Sequence, residues 1–137
     1  TEGGGRLKEV CASAEGEGIV LAHENCNGYG DNPEGYLELV EAVGSPALKL
    51  HLDTFHMNIE EPCIAQGIRD GGDKIGHVHF VDSNRQAAGR GHMDHAPIAA
   101  ALSEIGYDGF ASAEAFPIPD SDTAATATID AFKKYFR

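Results

Sequence analysis

The sequence predicts an α/β fold: one leading helix, then four strand–helix units around a parallel sheet. Three observations carry this. Apolar strand runs alternate with helical periodicity along the chain, a pattern that argues for crossover connections. Four strands end on or run through a side chain suited to metal ligation or acid–base work: Glu24, Asp53, His79 and Glu114. These residues lie 29, 26 and 35 positions apart, each about one strand–helix unit.

In order, 6–15 (RLKEVCASAE) reads as a helix ending near Gly16 and Gly18, and 18–24 (GIVLAHE) as a strand. Asn32 followed by Pro33 marks a helix start, with a cap and then proline at the first position. The helix PEGYLELVEAVG stops at Gly44, and 47–53 (ALKLHLD) is the second strand. EEPCIAQGIRDGG is a short helix with a double-glycine end, and 75–81 (IGHVHFV) is the third strand. APIAAALSEIG is a helix, 109–114 (GFASAE) the fourth strand, and DTAATATIDAFKKYF the closing helix. Asp122 is its expected cap, with lysines near its C-terminus. There is no linker or low-complexity tract, so residues 1–137 read as one domain. The start at Thr1, without Met, reads as a piece of something longer.

Composition narrows the function. A formal charge of −12 opposes both nucleic-acid phosphate and an anionic membrane surface as partners. Cys11, Cys26 and Cys63 are odd in number, far apart and without a C-x-x-C pattern. Neither a disulfide framework nor a cysteine zinc site is indicated, and a reducing, cytoplasmic setting fits best.

A lone acid at a strand end is usually a helix cap or a solvated loop residue. Four such groups at one level of four consecutive units are harder to explain that way. Side-chain alternation puts Val20 and Ala22 on the face of Glu24, His51 with Asp53, His77 with His79, and Ser112 with Glu114. In a (β/α)8 barrel these strand ends share the catalytic face. Three carboxylates and one imidazole suit Mn²⁺, Mg²⁺ or Co²⁺ better than a structural zinc. His51 and His77 point inward one layer lower and read as core or supporting residues. His23 reads as packed, His92 and His95 as loop residues, and Cys26 as a packed small residue.

At these residues the chain resembles a known family. ENCNGYGDNPE, LDTFHMNIEE, GHVHFVDSNRQAAGRGHMD and IGYDGFASAEAF together are similar to the xylose-isomerase-like sugar phosphate isomerases and epimerases, above all the ketose 3-epimerases of the tagatose/psicose type. The resemblance runs from about residue 6 to 137 and implies the C-terminal half of a TIM barrel, strands five to eight with their helices. It implies one divalent metal ion, Mn²⁺ foremost, held by Glu24, Asp53, His79 and Glu114, and a sugar substrate bound by His56 and Arg85. Two departures stand out. Phe80, Val81 and Asp82 follow His79 where the family usually has Gly-Glu, and Asn25, Cys26, Asn27 and Gly28 follow Glu24 where Asn-Arg is frequent.

The resemblance implies proton abstraction beside a ketose carbonyl through a cis-enediolate, with Glu24 and Glu114 as acid and base on opposite faces. An aldose–ketose isomerase would use the same parts. An AP-endonuclease-like enzyme on the same fold is opposed by the negative charge. A catalytically inert half-barrel is the other alternative, because the family's first four strands are absent. Four strands cannot close a barrel of eight, so pairing with a second copy or with the missing half is expected.

Overall fold

The structure is a computed structural model that describes residues 2–26 and 33–136. The elements run α1 (Glu2–Glu17), β1 (Leu21–Glu24), α2 (Pro33–Val43), β2 (Leu48–Asp53), α3 (Thr54–Glu60), α4 (Ile64–Gly71), a 3-10 turn (Gly72–Lys74), β3 (Ile75–His79), α5 (Ala96–Glu104), β4 (Ala111–Ser112) and α6 (Ser121–Tyr135). The strands form one four-stranded sheet in the order β1-β2-β3-β4, and every neighbouring pair is parallel. The expected cap of α2 at Asn32 lies outside the described residues.

Strand alternation sorts β2 and β3 into two faces. Leu48, Leu50, Leu52, Val78 and Phe80 are buried beneath the helices, each fully buried side chain contributing about 1.5–3 kcal/mol. Phe80 anchors the last helix. Its ring meets those of His95 and Phe136, each at 4.9 Å, and of Tyr135 at 5.7 Å. The other face carries His51, Asp53, His77 and His79, as the alternation predicts. Toward the N-terminal side of that face, Val20 and Phe110 are 57% and 83% exposed.

Local chemistry explains the element ends. Gly44 follows α2 at φ +68°, a left-handed position that favours glycine, and its N–H closes the helix on Val40 O at 2.9 Å. α6 begins two residues earlier than expected. Its cap is Asp120, whose carboxylate accepts Thr123 N at 2.8 Å, and Asp122 sits in the first turn. β4 is shorter than the expected 109–114, because only β3 flanks it. A helix absent from the sequence reading, α3, starts directly on the last residue of β2.

Candidate metal and sugar site

Glu24, Asp53 and His79 are the last residues of β1, β2 and β3, and Glu114 follows β4 by two. One donor atom from each lies within 4.8 Å of the others. His79 Nδ1 is 3.0 Å from Asp53 Oδ2, 3.3 Å from Glu24 Oε1 and 3.8 Å from Glu114 Oε2. Glu24 Oε1 is buried without a hydrogen-bond partner. Two carboxylates 4 Å apart repel by roughly 4 kcal/mol at an effective dielectric constant near 20. Three gathered here, with one oxygen orphaned, form a donor set that fits a divalent cation. The chemistry is hard oxygen plus one imidazole nitrogen.

The sheet register shows how these residues meet. Glu24 pairs with His51, Asp53 with His79, and His79 with Ser112. Along the hydrogen-bond ladder, Glu24 is therefore level with His51, and Glu114 stands two residues beyond the level of His79. The four are not at one register level. They converge because strands of this fold are staggered and tilted, so a ring around the barrel axis cuts the ladder obliquely.

Asp53 is fully buried and has two tasks. Its Oδ1 accepts Phe55 N at 2.9 Å and caps α3, while Oδ2 faces His79 and Arg85. α3 in turn carries His56, whose Nε2 is 3.2 Å from Arg85 Nη1. Arg85, on the loop between β3 and α5, pairs with Glu114 and lies 3.3 Å from Asp53 Oδ2. Its guanidinium stands over the Phe55 ring at 5.0 Å. All six residues singled out from the sequence are thus neighbours.

Beneath them, the His51 ring meets His79 edge-on at 4.0 Å, and His77 Nε2 is 2.7 Å from Ser112 Oγ. Burial, followed by the charges of His79 and His77, pulls the His51 pKa down to about 4. His51 is thereby kept neutral under the acidic cluster.

Three residues escaped the sequence reading. Asn25 is buried, accepts Asp53 N at 2.7 Å and so braces the backbone of a site carboxylate. Thr54 ties α3 to the segment just past β3, donating to Val81 O at 2.7 Å and accepting Val81 N at 3.0 Å. Asp82 is fully buried in the loop of Arg85. Burial raises its pKa, but backbone N–H groups of Gly91, Ser83, Met93 and Gly89 outweigh that and bring it down to about 2. Each is a polar residue just past a strand or site residue, a position that hints at bracing without naming the partner.

Other expectations need correction. His95, read as a loop residue, ends the loop as the residue before α5 and is fully buried there, with Nε2 3.1 Å from Val81 O and Nδ1 3.1 Å from Met93 O. Cys26 is exposed, not packed, because it follows the end of β1 where the sheet face is open. Desolvation, then Glu24, raises its pKa and holds it as the thiol. His23 is exposed as well, its ring 5.0 Å from that of Tyr36.

The xylose isomerase-like TIM barrel family matches residues 5–135, and this chain belongs to that family. The D-psicose 3-epimerase of Enterocloster bolteae is 41% identical over 118 residues, which cover 80% of this chain and 38% of that protein. The L-ribulose 3-epimerase of Mesorhizobium japonicum is 40% identical over 115 residues, with the same two coverages. A crystal structure of D-allulose 3-epimerase from Methylomonas sp. superposes with a TM-score of 0.91 at 29% identity, covering 97% of this chain and 54% of that one. The chain thus spans well under two thirds of the length of these relatives, and its four-stranded sheet is half of the eight-stranded barrel. Among the described residues, no helix is long and apolar enough to cross a membrane.

Proposed function

We propose that this chain is one domain, the C-terminal half-barrel of a metal-dependent ketose epimerase, and that it supplies the metal ligands and both proton-transfer groups. The observation that carries the reading is the sheet order. Glu24 and Glu114 come from the outermost strands, with Asp53 and His79 between them. Their carboxylates therefore approach the cluster from opposite sides, which is what inversion of a carbon centre needs.

A divalent ion held by Glu24, Asp53, His79 and Glu114, Mn²⁺ foremost, would supply Lewis-acid stabilisation of charge on the sugar oxygens, a contribution of several kcal/mol. The chain's own residues do the rest. One glutamate takes the proton from C3 of the ketose, and the other delivers a proton to the opposite face of the cis-enediolate. His56 and Arg85 bind and orient the sugar oxygens, and Arg85 offsets the developing negative charge. The likeness to proteins named D-psicose, L-ribulose and D-allulose 3-epimerase supports a ketose substrate. The cysteine pattern supports a cytoplasmic setting.

The test is turnover of D-allulose in D₂O by the Mn²⁺-loaded full barrel that contains this half. Deuterium at C3 of the product supports the reading. Deuterium at C1 or C2 supports an aldose–ketose isomerase instead, and product free of solvent deuterium excludes deprotonation by these glutamates.

A further inference from the structure

We propose that Asp82 is a positioning residue that holds Arg85 over the site, an inference that rests on the reading of Arg85 as a sugar-binding group. Asp82 lies outside the donor cluster. It organises the loop between β3 and α5 from the inside. Its Oδ1 accepts Ser83 N at 2.7 Å, Ser83 Oγ at 3.0 Å and Met93 N at 3.2 Å, and its Oδ2 accepts Gly89 N at 2.8 Å. Its backbone closes a turn around Arg85: Arg85 N donates to Asp82 O, and Asp82 N donates to Gln86 O, both at 2.9 Å. One buried carboxylate thus gathers both ends of the segment 82–93.

The segment needs such a tie. Arg85 sits at φ +58°, a left-handed conformation costly for a residue with a Cβ. A strained residue costs about 1–3 kcal/mol and persists only where its surroundings enforce it. The enforcing contacts are the Asp82 turn and Phe116 N, which donates to Arg85 O at 2.7 Å. Gly91 completes the arrangement, since a Cβ there would overlap Asp82 Oδ1. From this backbone the guanidinium reaches His56, Asp53 and Glu114 together. A displacement of about 1 Å at such a group can cost about 100-fold in rate.

The experiment uses the Mn²⁺-loaded full barrel that contains this half, D-allulose as probe, and three changes: Asp82→Ala, Gly91→Ala and Arg85→Ala. Asp82→Ala and Gly91→Ala should each lower kcat/KM by about 100-fold without weakening Mn²⁺ binding. The double variant Asp82→Ala/Arg85→Ala should be no worse than Arg85→Ala alone, because the second change removes what the first displaces. Phenylglyoxal labelling, read by mass spectrometry, supplies a measure independent of turnover. Arg85, 14% exposed in its side chain, should label slowly in the parent and rapidly in Asp82→Ala and Gly91→Ala. Multiplicative losses in the double variant, or parallel loss of Mn²⁺, would overturn the proposal in favour of a general folding role. Unchanged Arg85 labelling would overturn it whatever the activity. If the parent full barrel turns over no ketose while the labelling rises as expected, the functional reading fails and the positioning of Arg85 by Asp82 stands.

Discussion

Arg85 Nη2 and His79 Nδ1 converge on one oxygen, Asp53 Oδ2, at 3.3 and 3.0 Å. A guanidinium so close to the donor cluster repels a cation there while attracting a sugar oxygen. Arg85→Ala should therefore separate the two affinities. Mn²⁺ should bind more tightly, by up to about tenfold for about 1.4 kcal/mol of removed repulsion, while kcat/KM for a ketose falls. Mn²⁺ titration followed by electron paramagnetic resonance, beside steady-state kinetics, reads both. Weaker Mn²⁺ binding in the variant would show that the guanidinium supports the donors.

Asp53 both caps α3 and faces the cluster, so Asp53→Asn should damage two things of different size. Mn²⁺ binding should be lost. Helix stability should fall only modestly, since Asn is as good a cap as Asp. Circular dichroism and Mn²⁺ titration on the same sample check this. A large helical loss with Mn²⁺ retained would mean that Asp53 is a cap and not a ligand.

In the full-length enzyme, Glu24→Gln and Glu114→Gln should each abolish epimerisation, on the order of 10²–10⁴-fold for loss of an acid–base group. They need not be equivalent in exchange. A variant that keeps the deprotonating glutamate can still wash solvent deuterium into C3 of the substrate. The other cannot. Exchange in both variants, or in neither, would break the assignment of one glutamate to each face.

The Asp82 carboxyl gives a pH dependence of known sign. Its folded pKa, about 2, lies below its ordinary 3.8, so the folded state favours the ionised form. The stability this contributes is fully present above the ordinary value and is lost as pH falls toward about 2. Acid unfolding of Asp82→Asn should be less steep than that of the parent in this window. Identical acid transitions would remove Asp82 as a contributor.

The 137-residue chain alone should self-associate or catalyse poorly. Val20 and Phe110 expose apolar surface on the concave face, and β1 and β4 are edge strands. Sedimentation velocity with a ketose assay decides it. A monodisperse monomer with the turnover of a full barrel would refute the expectation.

Much of this was legible in the sequence because strand-end residues carry the site. The spacing of Glu24, Asp53, His79 and Glu114 needed only the alternation of strands and helices. α3 was hidden because β2 runs into it with no loop, and Asp53 reads equally as a strand end and as a helix cap. The stagger was illegible for another reason. Register is a relation between strands, and one chain written in a line does not display it. His95 and Asp82 look like ordinary loop residues in a segment that also holds Gly89 and Gly91. Their burial depends on how the segment 82–93 folds back on itself, which no local pattern states.

The oblique register has one more consequence. Because Glu24, Asp53 and His79 end strands and Glu114 lies two residues past one, the ladder between strands sets where the donors stand, and the lengths of the intervening segments do not. The connections here already differ in length around a common cluster. The outer segments are thus free to lengthen, shorten or be exchanged while the geometry of the donor cluster stays fixed.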